Sequence, residues 1–368
     1  MHNNRRRALL AGTASALALP GCSWFAGPAP TDHPHAGHGG MYERLNAPGR
    51  VGKPELAEVQ AVYDSPAKRV NPAGKWTERA PLPLPRSEMA WATALNGRMH
   101  LVGGYGEQRV DRAYHHVYDP LRNAWQDAAP LPLGANHVGV AAEGDTLWAI
   151  GGFTEQNRKP HAECFAWSAR EDRWRRIAPL PQACGSVACV VLDGKVHGIG
   201  GAIGDTFETK KSVDWHLVYD PRADRWSRAT PLPTARDHVG AVTAHGVVHV
   251  IGGRVDSFHT NSNLHHVYEP ASGKWAARNP LPTARSGHGA CLVKDRIYVM
   301  GGEGTNRVFG QNEAYVIASD SWEQWAPMPT ARHGLGAAAI ANTIYVAGGG
   351  AVMGGGIQSA VHEAFIIP

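Results

Sequence analysis

A Pro-Leu-Pro or Pro-Met-Pro triplet occurs six times along the chain, and five of the six are followed within a few residues by side chains able to do chemistry. The residues are Arg86, Ser87 and Glu88; His137; Asp237 and His238; Ser286 and His288; and His333. A second set follows paired glycines and includes Tyr105, Arg254 and Glu303. Glu88, Asp237, Glu303 or His288 would supply the carboxylate or imidazole that general acid/base catalysis needs. A metal would require three of His137, His238, His288 and His333 at about 2.1 Å from one ion, and none is expected on these loops. A rim with both charge signs, imidazoles and aromatics suits a sugar or a polar peptide. Arg86, Arg236, Arg285 and Arg332 stand third after their triplets, with Ala135 and Cys184 in the other two. Most of this arginine is expected to anchor loop to scaffold.

A separate group lies near the N-terminus. His33, His35, His38 and Met41 within nine residues are weak candidates for loose copper or zinc binding. The alternative is a flexible polar linker in which the histidines are incidental. Residues 1–21 read as an export signal, with Arg5-Arg6-Arg7 before a short apolar run. Arg6-Arg7-Ala8-Leu9-Leu10 resembles a twin-arginine signal, and Leu19-Pro20-Gly21-Cys22 resembles a bacterial lipobox that would be cleaved and acylated at Cys22. The expectation is an exported lipoprotein on the periplasmic face of the cell envelope, held to the membrane at Cys22, with residues 22–61 as its tether. No other stretch approaches the 18 apolar residues of a membrane span. Loss of residues 1–21 removes three Arg and no acid, so the formal charge falls from +4 to +1. That leaves no electrostatic footprint for nucleic acid.

What must position the loop residues is a repeat. Glycine pairs occur at 103–104, 151–152, 200–201, 252–253, 301–302 and 348–349. A tryptophan recurs with nearly the same step at Trp76, Trp125, Trp174, Trp226, Trp275 and Trp325. Each is followed by one of the triplets. Within a unit the pattern is four short strands, as at 289–293, 297–300, 313–317 and 322–326. Asn96-Gly97 and Asp193-Gly194 supply hairpin turns between the first two. First strands are rich in small residues, such as Gly336-Ala337-Ala338-Ala339, as expected where strands crowd an axis.

These marks resemble the kelch repeat, a β-propeller blade unit, over residues 62–368. The resemblance implies an all-β, six-bladed propeller whose two loop sets ring one mouth of the central channel. The strand near 74–79 precedes any first strand, and the last unit lacks a fourth. The N-terminal strand is therefore expected to complete the C-terminal blade and close the ring. The chain is also distantly similar to exported kelch proteins of the N-acetylneuraminate epimerase type, which implies sugar epimerisation or mutarotation as an alternative activity. The main expectation is a monomeric binding module that holds a glycan, a small polar ligand or a protein at the channel mouth. Copper or zinc handling through the tether is a third possibility, and no cofactor is expected.

With 43 Gly and 26 Pro in 368 residues, long helices have little room. The punctuation accounts for much of that composition. Cys164, Cys184, Cys189 and Cys291 are expected to be buried thiols, with only the pairing of Cys164 and Cys184 left open.

Overall fold

The computed structural model describes residues 70–71, 74–89, 91–206 and 209–368. The expected export signal at 1–21, Cys22 and the expected tether with His33, His35 and His38 lie outside the described residues. Among the described residues no helix is long and apolar enough to cross a membrane.

Six four-stranded antiparallel sheets stand around an axis. Blade 1 comprises Thr93–Leu95, Arg98–Val102, His115–Asp119 and Ala124–Ala128. Blade 2 comprises Gly139–Glu143, Thr146–Ile150, Cys164–Ser168 and Arg173–Ile177. Blade 3 comprises Ala188–Leu192, Lys195–Ile199, His216–Asp220 and Arg225–Arg228. Blade 4 comprises Gly240–Ala244, Val247–Ile251, His265–Glu269 and Lys274–Arg278. Blade 5 comprises Gly289–Val293, Arg296–Met300, Asn312–Val316 and Ser321–Trp325. Blade 6 takes Gly336–Ile340, Thr343–Ala347 and His362–Ile366 from the C-terminus and Lys75–Glu78 from the other end of the fold. Lys75 pairs with Ile366 and Glu78 with Glu363, so the ring closes as expected. Val70–Asn71 adds a parallel strand outside blade 5.

The glycine pairs are explained by contact between blades. Gly200 and Gly201 have φ of 63° and 110°, and Gly201 N–H donates to the Arg236 carbonyl of the next blade at 3.0 Å. A Cβ on Gly200 would sit 2.3 Å from that oxygen, so a side chain is excluded. The same bond recurs around the ring, from Gly104 to Ala135 and finally from Gly349 to Arg86.

One outer-strand tryptophan in each blade donates its indole N–H to a carbonyl of the preceding blade. Trp125 reaches Ala80 at 2.9 Å and Trp174 reaches Ala129 at 2.7 Å. In blade 5 this role falls to Trp322, which bonds Asn279 at 2.9 Å. Trp325, the residue the sequence repeat selects, is instead a buried core residue against Tyr298 and Phe365. Two tryptophans three apart made the marker ambiguous, and only the inter-blade bond decides between them.

Histidines bind blades as well. His100 and His115 share a 2.9 Å hydrogen bond inside blade 1. His197 with His216 and His249 with His265 repeat it in blades 3 and 4. The third-strand ring then meets an aromatic of the next blade edge-on: His115 on Trp167, His216 on Tyr268, His265 on Tyr315. His362 does the same to Tyr118 across the ring closure.

First strands line a central cavity of about 450 Å³. Trp91 enters it and donates its indole N–H to the Val239 carbonyl of blade 4 at 3.0 Å. The residues at its level in blades 4 to 6 are Ala241, Ala290 and Ala337, small enough to admit the indole.

Candidate functional site

Three residues precede every inner strand in the same geometry: 86–88, 135–137, 184–186, 236–238, 285–287 and 332–334. The third residue of each is left-handed. The φ values are 49° at Glu88, 50° at His137, 55° at Ser186, 53° at His238, 62° at Gly287 and 57° at Gly334. A non-glycine residue there costs on the order of 1–3 kcal/mol, and such strain gathers at functional sites. The turn lets neighbouring loops hydrogen-bond around the axis. His137 N–H donates to the Glu88 carbonyl at 3.0 Å, Ser186 to His137 at 2.9 Å, Gly287 to His238 at 3.2 Å and Gly334 to Gly287 at 2.9 Å. This belt carries the side chains of Glu88, His137 and His238 to the channel mouth.

There they meet an ion-pair network. Glu88 lies 2.9 Å from His137 Nε2 and 2.8 Å from His333 Nε2. His333 Nε2 is also 3.4 Å from Glu303, and its Nδ1 donates to the Gly350 carbonyl at 3.1 Å. Arg254 donates to Glu303 and to Asp237, both at 2.9 Å. Its second Nη reaches His238 Nε2 at 3.1 Å. His238 Nδ1 is bonded to Asp237, whose other oxygen accepts from Ser212 Oγ at 2.5 Å. Asn136 donates to Asp111 at 2.6 Å and to the Phe153 carbonyl at 3.0 Å. Its amide oxygen therefore faces His137 Nδ1, which must be the donor.

Glu88, His137, Asp237, His238, Glu303 and His333 are all buried. Burial opposes charge on each acid, but the bases win. Glu88 is held well below the usual carboxylate range by His333 and His137, and Glu303 is lowered by His333 and Arg254. Burial also opposes charge on His333, yet Glu303 and Glu88 raise it to about 9. His238 goes the other way. Burial and Arg254 bring it to about 4, so its ring is neutral with Nε2 as acceptor. Lys210, in the loop of blade 3, is lowered to about 7, chiefly by burial, and stands 4.0 Å from the Phe153 ring centroid.

Several sequence candidates stand elsewhere. His288 is one step beyond the belt, because Arg285-Ser286-Gly287 already occupies it. Its ring is buried beside Gly240 and Gly252 of blade 4, and burial lowers it to about 3. Arg86 is fully buried, bonded to the Gly103 carbonyl at 2.7 Å and to His116 Nδ1 at 2.9 Å. Ser87 and Ser286 are fully buried and make backbone bridges to Tyr105 and Glu303. Tyr105 is buried edge-on against His137. Asp111, Ser212, Lys210 and Gly354, whose N–H donates to Glu303 at 2.8 Å, also belong to the site and are not among the sequence candidates. An alignment of the blades on the third residue before the inner strand would have grouped Glu88 with His137 and His238. Nothing local marks the others.

The loop face also holds an open cleft between blades 6 and 1, of about 490 Å³. Leu84, Glu107, Gln108, Arg112, Tyr114 and Gln358 line it. Tyr114 is 36 % exposed and stacks on the buried His116, with centroids 5.4 Å apart and planes at 10°. The Arg112 guanidinium is 6.0 Å from the Tyr114 centroid.

Residues 284–329 match the family model described as Kelch motif. No curated protein matches the chain. The matched unit is one of six that repeat its four strands, and a fold of this kind suggests a binding or interaction module. The motif and the closed ring of six blades together support a kelch β-propeller.

Proposed function

We propose that the protein is a binding module of the cell envelope that seats a glycan or a small polar ligand in the cleft between blades 6 and 1. The observation that carries this reading is Tyr114. Its ring is fixed by the stack on His116, half-open to solvent, and flanked by Arg112, Glu107 and Gln108. A rigid aromatic platform rimmed by polar groups suits the apolar face and hydroxyls of a sugar ring, and the volume lies within the range of small-ligand sites. The export signal and Cys22 supply the envelope location in this reading. The two carboxylates that converge, Glu88 and Glu303, are neutralised by His333 and Arg254 and buried, which favours binding over sugar epimerisation.

The test is a glycan panel screened against the full chain by calorimetry. At least one saccharide should bind, and Tyr114→Ala should weaken it about tenfold or more. Binding that survives both Tyr114→Ala and Arg112→Ala would remove the cleft from the proposal, and a panel without any binder would remove the glycan.

A further inference from the structure

We propose that Glu88, His137 and His238 form a binding site for one divalent first-row transition ion at the channel mouth. Their ligand atoms all lie within 4.8 Å of one another, and all three residues are buried. An ion bonded at about 2.1 Å spans up to about 4.2 Å between opposed donors, so a shift of well under an ångström per side chain closes the shell. Two imidazoles and a carboxylate suit zinc or iron(II).

The surroundings have the form that metal sites use. Each imidazole is bonded through Nδ1 to the side-chain oxygen of the residue just before it: His137 to Asn136 and His238 to Asp237. That places an N–H at Nδ1 of each ring and turns Nε2 inward, as outer partners do for metal-bound histidine, and at His137 the ion would replace the hydrogen bond between Nε2 and Glu88. The device appears in two blades, on residues held by the same left-handed turn. Ser186 occupies the same belt position in the blade between them. It is fully buried, and its hydroxyl has no hydrogen-bond partner. The three donors thus come from blades 1, 2 and 4, and the belt residues of blades 5 and 6 are Gly287 and Gly334.

The competitors are His333, whose Nε2 stands 2.8 Å from a Glu88 oxygen, and Arg254. Arg254 Nη2 holds the His238 Nε2 lone pair that an ion would need. Its bonds to Asp237 and Glu303 do not involve that nitrogen's partner, so the guanidinium keeps two carboxylate contacts when the ion takes His238. Arg254→Gln should therefore tighten metal binding, whereas in a purely structural cluster it would only destabilise the fold.

The experiment uses the full chain with His33, His35 and His38 replaced by alanine, so that the tether cannot contribute. Zn²⁺ is titrated by calorimetry and Co²⁺ by visible absorption. The expected result is one ion per chain, with the intense Co²⁺ bands of a four- or five-coordinate site containing nitrogen. His137→Ala and His238→Ala should each weaken Zn²⁺ by about 100-fold or more. No stoichiometric uptake, or unchanged affinity in both folded variants, overturns the proposal. If those variants do not fold, the Co²⁺ spectrum of the unsubstituted cluster decides, and weak six-coordinate bands overturn it.

Discussion

The guanidinium of Arg332 meets the carboxylate of Glu363 at 2.7 Å, and both side chains are out of solvent. The pair joins the loop before blade 6 to the third strand of the same blade. Arg285 and Glu313 repeat it in blade 5 at 2.5 Å. Arg86 with His116 and Arg236 with His266 repeat it with a neutral partner at 2.9 Å. Where the arginine is replaced by Ala135 or Cys184, the third-strand position holds Phe165 or Leu217. Charge and counter-group come and go together.

Glu363→Ala should therefore destabilise the propeller by about 3–5 kcal/mol, because it strands a buried guanidinium. The double change Arg332→Cys with Glu363→Leu copies the blade 3 pair and should recover most of the loss. Urea unfolding midpoints measure both. A double variant as unstable as the single one would show that the pairing is not the reason.

Trp322 and Trp325 should separate cleanly. Trp322→Phe removes one indole bond at a solvent-exposed edge, and should cost about 0.5–1.5 kcal/mol. Trp325→Ala empties a buried position between blades 5 and 6 and should cost about 3–5 kcal/mol. Equal losses would mean that the two roles are misassigned.

Stability should fall on acidification from neutral pH. Burial lowers His100, His197, His216 and His249 to about 4, and His115 and His265 to about 3, against about 6.5 in the unfolded chain. The folded state then binds fewer protons than the unfolded state between those values. The stabilisation is present above about pH 6.5 and is lost progressively as pH drops toward 4. His333 has the opposite sign. Raised to about 9, it contributes fully below about 6.5 and loses that contribution as pH rises through 9. The melting temperature should peak between these limits, and a flat profile from pH 7 to 4.5 would contradict the buried histidine pairs.

The thiols of Cys164, Cys184, Cys189 and Cys291 are free and buried. Burial pushes Cys164 and Cys291 up to about 12 and the other two upward as well. None of the four should react with a thiol reagent at pH 8 in the native state, and all should react in denaturant. Rapid native labelling of any one would place it at the surface.

The ring was legible because its requirements are local and repeated. A glycine pair is demanded wherever a second strand ends against the next blade's carbonyl, so it recurs six times. Asn96-Gly97 sits in the positive-φ hairpin that its composition announces. The site was legible only in part. Glu88, His137, Asp237, His238, Arg254, Glu303 and His333 were all visible as polar loop residues, and the fold brings them together. His288 was misplaced because it was matched by residue type rather than by distance from Arg285. Asn136 with Asp111, or Ser212 with Asp237, are partners 25 residues apart on loops of different blades. Such contacts exist only once the ring does.

Thr77 and Ala364, paired across the closing blade, are 287 residues apart in the chain. The strand that seals the ring is the first of the six-blade set to be synthesised, and its partner is among the last. Until translation reaches that partner, Lys75–Glu78 has no sheet to join, and blade 6 keeps a raw edge. Closure of this kind must therefore follow synthesis, and its loop-closure entropy makes the final docking a slow step. A chain shortened by a few residues at either strand would keep nearly all of its blades and still lose the joint that makes them one cooperative unit.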